Sequence, residues 1–213
     1  MNKIVLIGAG GHCKVIIDIL KSMKKYEVVG ILDNKNKSKY LLDVPIIGDD
    51  TLLNELFLKG IKNAFICIGA LNNINIRNNI YENLKKIGFK LPVLIHEKSI
   101  VSEYAKLGEG TCVMPGAIVN AGSIIKENCI INTGSIIEHD CLISSNCHVS
   151  PNVVLGGQTT IESNCHIGIG STIIQGINVG ENVTIGAGAV VVNNIEANSV
   201  AIGVPAKVLR RKI

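Results

Sequence analysis

His139 and Asp140 stand side by side in the run Asn132-Thr133-Gly134-Ser135-Ile136-Ile137-Glu138-His139-Asp140. An accessible imidazole is the natural proton acceptor near neutral pH. A neighbouring carboxylate stabilises the imidazolium formed as the base takes a proton, and positioned general-base catalysis contributes roughly 10²- to 10⁴-fold in rate. Eighteen residues on, Gly157 leaves space beside such a base and offers an N–H that can donate to an oxyanion. A second candidate is the turn Gly8-Ala9-Gly10-Gly11-His12, followed by Val15, Ile16, Ile19, Leu20 and Met23 at helical spacing. A glycine turn opening a helix gathers backbone N–H groups and the positive end of the helix dipole at one point, which favours a phosphate or a carboxylate. His148 and His166, also eighteen apart, invite a metal reading; no third ligand stands at a suitable interval, so no metal is expected.

The interval of eighteen comes from a repeat. Every sixth position from Ile95 to Val191 is Ile, Val or Leu, without a gap. A period of six fits neither a helix nor a plainly alternating strand, but it fits a short flat strand and a corner, three of which make one triangular coil. Four residues after each aliphatic comes mostly a small side chain able to point inward, as at Ala105, Thr111, Ala117, Ser123, Ser135, Thr159 and Ser171. Three residues after it, thirteen of the fifteen positions between Gly110 and Asn194 are Gly or Asn, the residues that best tolerate positive φ. The two exceptions are Asp140 and Gln158. This pattern predicts a left-handed parallel β-helix over 91–213, with residues eighteen apart stacked at about 4.8 Å. Asn128, Asn146, Asn164 and Asn182 should then form a ladder.

Residues 1–90 predict a different unit. Strands are expected at 4–7, 27–32 and 64–68 and a helix at 75–86, an alternation that implies a small Rossmann-like α/β parallel sheet. The dinucleotide fingerprint would need a third glycine where Cys13 stands, and the unit is half the size of a two-lobed dinucleotide domain, so a nucleotide sugar fits better than NAD.

Composition narrows the classes further. With 3% aromatic residues and a net charge of +4 spread along the chain, nucleic-acid binding is disfavoured. The first apolar run is too short for a signal peptide or a membrane span, so a cytoplasmic protein with no membrane association is expected. Seven cysteines without a CxxC pair, four of them (Cys129, Cys141, Cys147 and Cys165) on the repeating small position, read as reduced apolar fillers.

The glycine-rich start, the unbroken hexapeptide stretch, the run ending at His139-Asp140 and the close Gly203-Val204-Pro205-Ala206-Lys207 together resemble the sialic acid O-acetyltransferase and bacterial nucleotide-amino-sugar N-acetyltransferase family of bacillosamine and perosamine type. The resemblance covers nearly the whole chain. It implies an acetyl-CoA-dependent enzyme of surface-glycan biosynthesis, a homotrimer that acetylates the amine of a nucleotide-linked amino sugar. Carried over by position, it assigns Gly10, Gly11 and His12 to the diphosphate, Asp33 and Asn34 to the base or ribose, Gly69 to the same ligand and Asn132 to the acceptor. His139 becomes the base and Asp140 its acidic neighbour, usually Glu in the family, while His148, Gly157, Ile169 and Ala187 would contact coenzyme A. The basic tail Arg210-Arg211-Lys212 could reach the phosphates of the coenzyme, but a basic C-terminus is more often simply solvated. O-acetylation of sialic acid or a related nonulosonic acid, and a non-catalytic trimeric scaffold that binds a nucleotide sugar, are the alternatives left open.

Overall fold

Residues 4–7 are four aliphatics in a row, and all four side chains are buried, as befits a central strand covered on both faces. The computed structural model describes residues 1–36, 38–69 and 74–212, which divide into two units, Met1–Glu97 and Lys98–Ile213. In the first, β1 (Asn2–Ile7) leads through the glycine turn into α1 (Gly11–Met23), followed by β2 (Tyr26–Leu32), β3 (Tyr40–Leu41), β4 (Val44–Gly48), α2 (Leu53–Leu58), β5 (Asn63–Ile66) and α3 (Ile74–Ile87). The sheet order is β3-β4-β2-β1-β5, parallel except for the β3–β4 pair. Helix α1 buries Cys13, Ile16, Ile17, Ile19 and Leu20; of the expected stripe Ile16, Ile19 and Leu20 are buried, while Val15 and Met23 are only partly so. The third expected strand ends at Ile66 rather than 68, and the β3–β4 hairpin and α2 had no clear sequence signal. The division falls after Glu97 rather than after residue 90, because Phe89 and Leu91 pack with Tyr81 and Leu84 in the core of the first unit.

The second unit is a left-handed parallel β-helix of two-residue strands. Each strand pairs in parallel with the one eighteen residues away: Ile136 with Val154, Leu142 with Thr160, His148 with His166. Every sixth aliphatic from Val113 to Val191 is no more than 1% exposed, so the prism core is the predicted column of Ile, Val and Leu. Every corner from Gly110 to Gly188 has positive φ, including Asp140 at 58° and Gln158 at 61°. Asn194 is not among the positive-φ residues: the repeat ends there, and Ser199–Ile202 pairs antiparallel with Lys207–Arg211 to close the coil. The asparagine ladder is only partly made. Asn128 donates to Asn146 (2.8 Å), while Asn164 donates to Glu181 (3.2 Å) and Asn182 to Asn198 (2.8 Å).

Candidate active site

The corner that holds His139 lies between the strands Ile136–Ile137 and Leu142–Ile143, where the αL backbone of Asp140 turns the chain. The imidazole and the carboxylate are both more than half exposed, and His139 Nδ1 lies 2.9 Å from Asp140 Oδ2. The aspartate arm therefore reaches the ring although it is shorter than the glutamate usual in the family. With Nδ1–H donating to the carboxylate, Nε2 carries the free lone pair. Glycine makes room on the neighbouring coil: a Cβ at Gly157 would lie 2.7 Å from both Cε1 and Nε2 of His139. The amide of His139 points outward, to its neighbour Glu138 (3.3 Å). Gly157 occupies the same place one coil on, and among the described residues its N–H has no acceptor. The corner thus combines a base, an orienting carboxylate and an unused backbone donor.

His148 is on the face of the prism opposite that corner. Asn132 Oδ1 accepts from the Thr133 amide (2.8 Å) and hydroxyl (3.3 Å), which fixes its Nδ2 toward His148 Nε2 at 3.0 Å. Since Nδ2 only donates, His148 Nε2 is the acceptor of this contact. The His166 ring stands 5.2 Å away, its Nε2 3.0 Å from Ser150 Oγ. Burial, and then the charge of Lys212, depress the basicity of His166. Ile169 (58% exposed) and Ala187 are stacked on the edge that adjoins Asn132. Within one chain, then, His139, Asp140 and Gly157 are brought together, as are Asn132 and His148, but the two groups lie on different sides of the prism.

In the first unit, the ends of β1, β2 and β5 open onto a cavity of about 720 Å³ lined by Gly10, Gly11, His12, Asp33, Asn34 and Gly69, all the residues assigned there from sequence. Gly10 caps α1 without a side-chain hydrogen bond, and no acidic residue occupies the first turn, so the start of the helix faces the cavity without a side-chain cap. A Cβ at Gly10 or Gly11 would meet nothing within 4 Å. The glycines thus leave space that belongs to the cavity rather than to protein packing. Asp33 is engaged by backbone: Oδ2 accepts from Ala9 (2.6 Å), and Oδ1 from Lys35 and Asn36 (2.8 Å each). Burial alone would raise its pKa, but these amides outweigh burial and hold the carboxyl below the ordinary range.

The PglD N-terminal domain family matches residues 3–84, and the hexapeptide repeat of succinyl-transferase matches 158–192. A variant of perosamine N-acetyltransferase from Caulobacter crescentus, solved with CoA and GDP-perosamine, is 35% identical, with a TM-score of 0.93 over 99% of this chain and 98% of that one. The acetyltransferase domain of PglB from Neisseria gonorrhoeae FA1090 is 38% identical, with a TM-score of 0.92 over 98% of this chain and all of that one. The chain belongs to this family of hexapeptide-repeat sugar N-acetyltransferases. UDP-N-acetylbacillosamine N-acetyltransferase of Bacillus subtilis (strain 168) is 34% identical over 114 residues, 54% of this chain and 52% of that protein, so the match spans about half the length of that relative.

Other residues that line this family member's cavity, or that hold the chain beside it, have no clear mark in the sequence. Arg77 is 1% exposed and its Nη1 donates to the carbonyls of Ile66 and Ile68 (2.9 Å each), which fixes the chain leaving β5 just before Gly69. In sequence it is one polar residue among several in Ile76-Arg77-Asn78-Asn79, with no sign that it faces inward. Asn79 and Asn83, one helical turn apart on α3, line the cavity with Asp50. Burial, followed by the charges of Asp49 and Asp33, pushes the Asp50 carboxyl up. The helical spacing of Asn79 and Asn83 was the one available signal. The basic tail is not free in solution throughout: Arg211 pairs with Glu196, and Lys212 donates to Asn182 at 3.1 Å.

Proposed function

We propose that the protein transfers the acetyl group of acetyl-CoA to the amine of a nucleotide-linked amino sugar, with His139 as general base. The observation that carries this reading is the His139–Asp140 pair at 2.9 Å on an exposed corner, with Nε2 free and Gly157 cleared beside it, in a chain of this family. Both the perosamine enzyme and the bacillosamine enzyme bear the names of amino-sugar N-acetyltransferases.

In this reading His139 Nε2 takes a proton from the acceptor amine as its nitrogen bonds to the thioester carbonyl carbon. The carbonyl oxygen becomes an oxyanion and accepts from the Gly157 N–H. Asp140 steadies the imidazolium. As the C–S bond breaks, the sulfur of coenzyme A takes the proton back, and no covalent enzyme intermediate forms. The nucleotide diphosphate is held at the N-terminus of α1, with Asn34, Asp50, Asn79 and Asn83 available to the base, ribose or sugar. Asp33 shapes the turn that forms this pocket, its carboxylate being committed to three amides.

The working unit in this reading is a homotrimer. His148, Asn132, Ile169 and Ala187 can share a site with His139 only if a second copy supplies one of the two groups. The two faces that meet at the His139 corner carry outward aliphatics, Ile118, Ile136, Val154 and Leu142, each only half-buried in the single chain and suited to such a seam. Among the described residues no helix is long and apolar enough to cross a membrane; the seven free thiols and the need for acetyl-CoA support a cytoplasmic enzyme. The test is thiol release from acetyl-CoA against a panel of nucleotide-linked amino sugars and sialic acid. Release with an amino sugar supports the reading; release with sialic acid alone contradicts it.

A further inference from the structure

Of the fifteen corner residues between Gly110 and Asn194, Asp140 and Gln158 alone are neither glycine nor asparagine, and both hold left-handed backbone. In that conformation a side chain crowds its own carbonyl, and a residue longer than asparagine has no local hydrogen bond to offset the crowding. Asp140 is compensated by its bond to His139. Gln158 has no such compensation: its carboxamide is exposed and, among the described residues, makes no hydrogen bond.

Its place gives the reason. The Gln158 amide donates to the His139 carbonyl at 3.0 Å, so Gln158 stacks directly on the catalytic corner, one coil beyond Asp140. The carboxylate of Asp140 leans the other way, with Oδ1 over Gly122, whereas the His139 ring leans over Gly157. The side of the ring that bears Nε2 therefore faces the coil that carries Gln158. One coil further along this edge, Gln175 is exposed and also without a hydrogen bond among the described residues. Two exposed carboxamides without hydrogen bonds among the described residues, each a donor and an acceptor, are thus carried on the first and second coils beyond the base, coils spaced about 4.8 Å apart.

We propose that Gln158 is a binding residue for the acyl donor, its carboxamide pairing with an amide of the pantetheine arm; this rests on the reading of the site as acetyl-CoA-dependent. The arm carries two amides in line behind its sulfur, a linear pattern that matches carboxamides on successive coils. A pyranose acceptor presents its hydroxyls around a single ring and would not require a second carboxamide one coil on. An unstrained asparagine would turn the corner equally well but would fall a methylene short.

The test compares the wild type with Gln158→Ala, Gln158→Asn and Gln158→Gly, measuring melting temperature, coenzyme A affinity by calorimetry, and KM for each substrate by thiol release. Gln158→Gly relieves the backbone and should melt higher, yet it should lose roughly 5- to 10-fold in coenzyme A affinity, as Gln158→Ala should, from the loss of a hydrogen bond or two. KM for acetyl-CoA should rise by the same factor with KM for the acceptor unchanged. Unchanged coenzyme A affinity in both variants, or a rise confined to the acceptor KM, would overturn the proposal. A wild type that binds coenzyme A but releases no thiol with any amino sugar would sink the proposed reaction and leave the calorimetric comparison to decide the role of Gln158.

Discussion

At the scale of single residues, the proposed chemistry rests on what glycine leaves empty. A methyl group at 157 would stand 2.7 Å from two atoms of the His139 ring, so Gly157→Ala must push the imidazole aside. Gly157 does not need positive φ, so the backbone tolerates alanine; kcat should fall about 10- to 100-fold while the melting temperature changes little, within the range general-base positioning commands. A variant that melts normally and turns over at the wild-type rate would show that the ring need not sit where it does. Asp33 gives a second test, in stability and pH. Its folded-state pKa lies below the unfolded one, so its contribution is present above the unfolded carboxylate range and is lost as pH falls through the folded value. Asp33→Asn, which turns an NH₂ toward backbone donors, should lower the melting temperature at neutral pH. The gap to wild type should close as the solution is acidified; a gap constant with pH would show that the charge is not involved.

At the scale of elements, α1 presents an N-terminus with neither a capping side chain nor an acidic first turn. Gly10→Ala adds a Cβ that meets no protein atom. It should therefore leave the melting temperature unchanged and weaken binding of a nucleoside diphosphate about tenfold or more, measured by calorimetry, because the methyl occupies the cavity. Equal binding would place the phosphates elsewhere. These elements also show what the sequence could and could not tell. The β-helix was legible because each coil repeats the same local requirements: an aliphatic inward, a small residue beside it, positive φ at the corner. His139, Asp140 and Gly157 were legible as departures from that rule. Arg77 was not, since its burial depends on the carbonyls at the end of β5, which no local pattern reveals. The same holds for the asparagine ladder, where Glu181 and Asn198 accept from Asn164 and Asn182. The β3–β4 hairpin and α2 leave no mark in the sequence because such short, weakly periodic segments give little signal.

At the scale of the whole molecule, all seven cysteines are free and buried, and burial pushes the Cys147 thiol well up, so native protein should not react with a thiol reagent until it unfolds. His139 and His148 lie on different sides of one prism, so the proposed shared site requires the proposed homotrimer: sedimentation should give about three times the chain mass of 22.7 kDa, and an active monomer would contradict a shared site. The most direct test of the central claim is thiol release from acetyl-CoA with a nucleotide-linked amino sugar, run on wild type and His139→Ala, with coenzyme A binding measured alongside. The expected result is turnover by the wild type and a loss of at least about 10²-fold in the variant, with coenzyme A bound equally by both. Near-full turnover by His139→Ala would contradict the account.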